Sequence, residues 1–168
     1  MAGGFVWSLA AGSMLLMEQQ SRPLPKAPLI TLDGDPINLP QISQTSQQPL
    51  VVNLWASWCP PCIREMPVFE EVQRNEAEIT FVFINQGESP THIDAFMNKH
   101  DFTLDNVWLD PRNAIGQATG AHAMPTTLFM MPMGNWSIRT LASFPALPCN
   151  VAWNVCADPH PYRSTSAV

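Results

Sequence analysis

The stretch WASWCPPC, residues 55–62, decides the fold of this chain. It continues the apolar run PLVVNLW, residues 49–55, and precedes a helix-like segment from Cys62 to Arg74. An apolar run of this kind is typical of a strand that is buried on both faces. Cys59 and Cys62 therefore lie between a buried strand and a helix, and their spacing is compatible with a zinc site, a structural disulfide or a redox pair.

The other cysteines and the histidines argue against zinc. A structural zinc ion needs four ligands, usually supplied as two close pairs. Cys149 and Cys156 are seven residues apart, and the four histidines are scattered. A purely structural disulfide across two residues would remove little chain entropy and would stabilise the fold only weakly. A Cys-x-x-Cys motif between a strand and a helix favours a redox pair, and we expect no metal site.

The two cysteines differ in their position on the expected helix. Cys59 lies at the helix N-terminus, where free N–H groups and the helix dipole favour a thiolate, so we expect it to be the attacking sulfur. Cys62 lies one turn further and is expected to be more buried, as suits a resolving thiol. Pro60 and the proline after it limit the freedom of the dithiol. Trp55 and Trp58 are expected to pack beside the sulfurs, with an ordinary core role as the alternative.

Strand-like and helix-like segments alternate along the chain. The expected strands are residues 29–32, 36–39, 50–55, 79–85, 106–109 and 126–130, and the expected helices are residues 62–74, 91–100 and 111–119. Asp33-Gly34-Asp35 predicts a hairpin turn between the first two strands, whereas QISQTSQQ, residues 41–48, is expected to be a polar loop. Strands joined by helices of this length predict an α/β protein with a mixed, mostly parallel sheet that helices flank.

Length and charge bound the function. A chain of 168 residues with 46% hydrophobic residues fits one globular domain, for which a monomer is the expectation. The net charge of −6 offers no basic stripe that could neutralise phosphates, so nucleic acid is excluded as a partner.

The N-terminal segment, residues 1–20, is apolar, and residues 21–28 read as a proline-rich linker. The 15 residues GGFVWSLAAGSMLLM fall short of the roughly 20 residues that span a bilayer. No lysine or arginine precedes them, although a signal peptide usually begins with such a charge. We expect the remainder of an export signal or a membrane anchor, with a buried or surface helix as the alternative.

Four segments resemble the thioredoxin-like TlpA/ResA/DsbE family of exported thiol–disulfide oxidoreductases. They are APLITLDGDPINL at 27–39, LVVNLWASWCPPCIREMPVFEEV at 50–72, FVFINQGES at 81–89 and AMPTTLF at 123–129. The combination of WCPPC with a later MPTT is specific, whereas Cys-x-x-Cys alone would be weaker. The resemblance implies a thioredoxin-like domain, here residues 29–131, with an N-terminal hairpin.

The resemblance also implies roles for matching residues. Cys59 would be the nucleophile and Cys62 the resolving thiol of a redox-active disulfide that needs no other cofactor. Pro125 would be a cis-proline that faces the disulfide, and Met124 would line the peptide-binding groove. The expected substrate-binding residues are Trp58, Pro60, Met124 and Pro125. Glu65 would tune the thiol pKa or relay a proton, and its alternative is a solvated helix carboxylate.

The expected function is therefore reduction of protein disulfides in the periplasm or another exported location, in cytochrome c maturation or a related redox pathway. The partners would be protein thiols and disulfides and an upstream electron-donor protein, with membrane contact only through an N-terminal anchor. Two rivals stay open: a non-catalytic thioredoxin-fold binding module and a peroxidase-like redoxin.

The tail, residues 132–168, departs from the family pattern. Relatives continue with a turn, a strand and a closing helix, in a pattern like D-x-x-G-x-L-V. Methionine and tryptophan each have one codon, and reconstructing the gene from them in the neighbouring frame after Phe129 reproduces this pattern. We therefore expect a frameshift product from about Met130 onward, the alternative being a genuine tail with its own disulfide. As written, residues 136–141 are expected to form an antiparallel edge strand, with no closing helix after it because prolines interrupt the segment.

Overall fold

A computed structural model describes residues 23–131 and the backbone of a strand at residues 136–139. The strands are β1 (Leu29–Thr31), β2 (Pro36–Ile37), β3 (Leu50–Trp55), β4 (Thr80–Gln86), β5 (Val107–Asp110), β6 (Thr126–Met130) and β7 (Trp136–Arg139). The helices are α1 (Leu39–Ser46), α2 (Pro60–Asn75), α3 (Pro90–His100) and α4 (Ala114–Thr119). Within these residues no helix is both long enough and apolar enough to cross a membrane.

The strands form one mixed sheet in the order β2-β1-β5-β4-β3-β6-β7. The two parallel pairings, β3 with β4 and β4 with β5, lie at the centre of the sheet. These strands run in the same direction because α2 and α3 carry the chain back to the end of the sheet at which the preceding strand began. The outer pairings are antiparallel. The predicted mixed sheet with flanking helices is confirmed, but the parallel pairing is confined to the three central strands, so the expectation of a mostly parallel sheet was too broad.

The predicted N-terminal hairpin is confirmed, since β1 pairs with β2 in antiparallel register across Gly34. The expected edge strand in the tail is confirmed as well, because β7 pairs with β6. The rest of the tail, including the predicted absence of a closing helix, lies outside the described residues, as do residues 1–22.

The expected polar loop at 41–48 is wrong, because most of it lies in helix α1. Asn38 begins this helix, and its side-chain oxygen accepts the backbone N–H of Gln41 at 3.0 Å. Leu39 and Ser43 are buried four residues apart, and Ile42 packs against the core beside them. This sparse apolar face is enough to dock the helix although most of its residues are polar.

Side chains alternate along β3 between two cores, one on each face of the sheet. Val51 and Trp55 belong to the core that α2 and α3 cover, which also contains both active-site cysteines. The opposite core contains Leu50, Val52 and Leu54, together with residues of α1 and α4. Two residues of the expected linker, Leu24 and Ala27, pack against this second core, so the packed unit begins before β1.

Candidate active site

Cys59 and Cys62 form a disulfide at the N-terminus of α2, with an S–S distance of 2.06 Å and a Cα–Cα distance of 5.3 Å. Cys59 is the residue that caps the helix, and its Sγ accepts the backbone N–H of Cys62 at 3.4 Å. When the pair is reduced, a thiolate at Cys59 would keep this donor and the positive end of the helix dipole. The geometry therefore supports the predicted chemical difference between the two sulfurs.

Burial differs sharply between the tryptophans but little between the cysteines. In the disulfide form Cys59 is 4% exposed and Cys62 is 2% exposed. Trp55 is fully buried in the same core as both sulfurs, whereas the side chain of Trp58 is 65% exposed. Trp58 lies on the turn before the helix and faces solvent, which excludes the ordinary core role that was the alternative for this residue. Pro60 is likewise exposed.

A second loop reaches the dithiol at the start of β6. The Met124–Pro125 peptide bond is cis, as expected from the resemblance. Thr126, the next residue, pairs with Leu54 near the end of β3, from which the active-site turn leaves the sheet. Met124 is half-buried and packs against the core that contains both cysteines. The loop therefore lies at the same end of the sheet as the disulfide, and its Pro125 is buried.

Glu65 is a buried carboxyl group on the active-site helix. Its residue is 8% exposed, and its Oε2 has no hydrogen-bond partner among the described residues. Burial raises the pKa of Glu65 to about 7, against a smaller lowering by the charge of Arg64. Glu65 lies three residues after Cys62, on the same face of α2. It is therefore not a solvated helix carboxylate, and near neutral pH it can both bind and release a proton.

Sequence reasoning did not find a second carboxylate beside the active-site turn. The backbone N–H of Ser57 donates to Glu88 Oε2 at 2.7 Å, and the Ser57 hydroxyl donates to Glu88 Oε1 at 2.5 Å. The buried Asn85 donates its side-chain N–H to Glu88 Oε2 at 2.7 Å and accepts the Glu88 backbone N–H at 3.2 Å. His92 Nε2 lies 3.3 Å from Glu88 Oε1. We call the two residues Ser57 and Glu88 the Ser57–Glu88 clasp.

The environment of Glu88 has the opposite effect to that of Glu65. Partial burial alone would raise the pKa of Glu88, but hydrogen bonds from Asn85 and Ser57 and the charge of His92 outweigh it and hold the pKa below its ordinary value. Glu88 therefore stays ionised at neutral pH. One signal was available in the sequence, since polar residues after the carboxyl end of a central parallel strand commonly line a site, and QGES follows such a strand.

No three histidine, cysteine, aspartate or glutamate side chains within the described part of the chain are grouped as metal ligands. Cys149 and Cys156 lie outside it.

A central sheet with helices on both faces, a Cys-x-x-Cys disulfide at a helix N-terminus and a cis-proline loop beside it together define a thioredoxin-like protein. The chain belongs to the Redoxin family, whose family model matches residues 19–136.

Bacterial thiol-disulfide oxidoreductases and thioredoxin-like proteins are similar to this chain in sequence. Thiol-disulfide oxidoreductase ResA of Oceanobacillus iheyensis is 28% identical over 96 residues, which are 56% of this chain and 50% of that protein. The thioredoxin-like protein YneN of Bacillus subtilis is 27% identical over 120 residues, 69% of this chain and 68% of that one. The chain therefore spans about half the length of the ResA relative.

Solved structures agree on the fold. A secreted disulfide oxidoreductase of Mycobacterium tuberculosis that is homologous to E. coli DsbE superposes with a TM-score of 0.60. It is 22% identical, and the match covers 77% of this chain and 94% of that one. At this identity the likeness shows the fold alone, and it confirms the predicted thioredoxin-like architecture.

Proposed function

We propose that this chain is a thiol–disulfide oxidoreductase that reduces protein disulfides through Cys59 and Cys62. One observation carries the proposal: the pair is closed at the N-terminus of α2, with Cys59 as the capping residue. This is the position at which a helix most favours a thiolate.

The reaction transfers two electrons to the substrate. The Cys59 thiolate attacks one sulfur of a substrate disulfide, forms a mixed disulfide and releases the first substrate thiolate. Cys62 then loses its proton and attacks the Cys59 sulfur, which closes the Cys59–Cys62 disulfide and releases the second substrate thiolate. Both released thiolates take up protons. A dithiol donor protein upstream resets the pair by the same exchange in reverse.

Glu65 is suited to accept the proton that Cys62 must lose. It is buried on the same face of α2, one turn after Cys62, and its pKa of about 7 matches the pH at which a base is most effective. The same group can return the proton when the disulfide is reduced again, so Glu65 would act in both directions of the exchange.

The substrate would dock on the exposed surface around the dithiol. Trp58 is the one large apolar side chain strongly exposed among the residues that the structure describes. The exposed Pro60 lies next to Cys59, and the half-buried Met124 packs against the core that contains both cysteines. Exposed apolar groups around the disulfide suit an extended peptide around a cystine.

The proposal includes an exported location for this activity and a role in cytochrome c maturation or a related pathway, both of which the family resemblance supports. An N-terminal anchor, a monomeric state and the absence of any cofactor other than the disulfide remain parts of the same proposal.

An insulin-reduction assay with dithiothreitol as donor, run beside a peroxide-consumption assay, tests the function. We expect insulin reduction that disappears in Cys59→Ser, and a covalent mixed disulfide between insulin and Cys62→Ser. Peroxide consumption without insulin reduction would favour the peroxidase alternative, and inactivity in both assays would favour the binding module. The reduction potential of the pair, measured against glutathione, then gives the direction of electron flow.

A further inference from the structure

The Ser57–Glu88 clasp joins three elements at the active-site end of the sheet. Ser57 lies between β3 and α2, Asn85 lies near the end of β4, and Glu88 lies on the loop that leads into α3. Both carboxylate oxygens of Glu88 bond to Ser57, one to its backbone N–H and one to its hydroxyl. Two contacts from one carboxylate to one residue fix the position and the orientation of that residue.

The clasp acts on the turn that carries the chemistry. Trp58 and Cys59 directly follow Ser57, and the turn is closed by a hydrogen bond from the Cys59 backbone N–H to Ala56 O at 3.2 Å. The described structure anchors Glu88 in turn through the buried Asn85, which bonds to both its side chain and its backbone. The position of Trp58 is therefore fixed by the hydrogen bonds of the neighbouring Ser57 and not by burial of the Trp58 ring, which is exposed.

Ser57, Glu88 and His92 do not have the geometry of a hydrolytic triad. His92 Nε2 lies 3.0 Å from the Ser57 hydroxyl and 3.3 Å from Glu88 Oε1, so the same ring nitrogen faces both groups. In a triad the carboxylate orients the ring through its other nitrogen. Here the hydroxyl donates straight to the carboxylate, and this proton is not available for activation by the imidazole.

We propose that Glu88 is a positioning residue for thiol–disulfide exchange, whose carboxylate fixes the turn that presents Trp58 and Cys59 to a protein substrate. The inference rests on the proposed function, since it assigns a role within that same reaction. Misplacement of a reacting group by about 1 Å can cost up to about a hundredfold in rate. Loss of the clasp should allow a smaller movement, and we expect about a tenfold loss.

Glu70, further along α2 from the active site, provides a matched control. Glu70 Oε1 accepts both the backbone N–H and the hydroxyl of Thr103, so it makes the same kind of contact to a hydroxyl residue. Glu70 lies eight residues beyond Cys62, roughly 12 Å along the helix. Glu70→Ala therefore removes a comparable clasp without touching the active-site turn.

The test compares kcat/KM for insulin reduction, corrected for the folded fraction, in the full chain and its variants. Glu88→Ala should lose about tenfold and Ser57→Ala about threefold, while Glu70→Ala stays within twofold. Glu88→Gln should stay within about threefold, because its amide oxygen can still accept the two N–H donors and its NH₂ group can donate to the Ser57 hydroxyl. Alkylation of Cys59 by iodoacetamide, at a pH where the thiol is fully ionised, should stay within twofold throughout, since this small reagent needs no docking surface.

Each contrary result has a separate meaning. If Glu88→Ala and Ser57→Ala lose no more activity than Glu70→Ala, the positioning role is refuted. If Glu88→Gln loses as much as Glu88→Ala, charge rather than position matters and the inference is again overturned. If the alkylation rate falls together with the insulin rate, the clasp acts on the sulfur itself and not on presentation. An unmutated chain without insulin reduction refutes the proposed function, which separates that failure from the others.

Discussion

Replacing Glu65 by glutamine should make the protein more stable at alkaline pH and leave it nearly unchanged at acid pH. Burial raises the pKa of this carboxyl from 4.5 to about 7 in the folded protein. The folded chain then binds the proton more tightly than the unfolded chain. Stability contributed by the protonated group is fully present below about pH 4.5 and is lost as the pH rises towards 7.

The size of the effect follows from the two pKa values. They differ by about 2.5, and each unit corresponds to about 1.4 kcal/mol, so ionisation of Glu65 costs the folded state about 3 kcal/mol by pH 8. Glutamine has nearly the shape of the neutral acid and cannot ionise. Glu65→Gln should therefore match the parent within about 0.5 kcal/mol at pH 4.5 and exceed it by up to about 3 kcal/mol at pH 8.

Urea unfolding of the disulfide form at four pH values between 4.5 and 8 measures this difference. All other titrating groups are common to both proteins, so their contributions cancel in the comparison. Glu71→Gln, which removes an exposed carboxylate from the same helix, is the matched control for the loss of one negative charge. A stability difference for Glu65→Gln that stays constant from pH 4.5 to 8 would refute the reasoning, because it would mean that folding does not alter the proton affinity of this carboxyl.

Three further predictions concern the reaction. In the two reduced single variants, Cys59 (studied in Cys62→Ser) should be alkylated at lower pH than Cys62 (studied in Cys59→Ser), because only Cys59 caps the helix. Coincident pH profiles of the two alkylation rates would contradict this. Glu65→Gln should slow insulin reduction at pH 7 by at least about tenfold through loss of the proton acceptor, and an unchanged rate would exclude that role. Trp58→Ala should raise KM for insulin several-fold with little change in Tm, since its ring is 65% exposed; an unchanged KM would show that the ring does not contact the substrate.

Local patterns predicted most of the elements and both redox cysteines. The buried run at 50–55, the hairpin turn and the helix after WCPPC each follow from neighbouring residues, and the structure confirms them. Helix α1 was missed because its composition is polar and the signal is two buried positions on one face. The antiparallel pairing of β6 with β3 joins strands that are far apart in the sequence, and neither periodicity nor loop length determines that direction.

The residues of the candidate site also fall into those that the sequence predicts and those that only the fold brings together. Cys59 and Cys62 are only three residues apart in the sequence, and motif chemistry assigns them without a structure. Ser57 and Glu88 are 31 residues apart, and each is an ordinary polar loop residue until the parallel pairing of β3 with β4 brings their loops together.

The two carboxylates near the dithiol have opposite environments, and this difference separates their roles. Glu65 is buried and its Oε2 has no hydrogen-bond partner among the described residues, so its pKa lies near 7, where proton transfer at neutral pH is easiest. Glu88 receives N–H and O–H donors from two residues, so it remains an anion and cannot exchange protons in the reaction. Because Glu88 keeps one protonation state at neutral pH, its hydrogen bonds with Ser57 and Asn85 are the same in every step, whereas a group that titrates at neutral pH would have to rearrange its hydrogen bonds each time it took up a proton. In the proposed reaction, exchange at Cys59 and Cys62 uses both properties: Glu65 on α2 would accept the proton, and Glu88 on the loop after β4 would hold the turn.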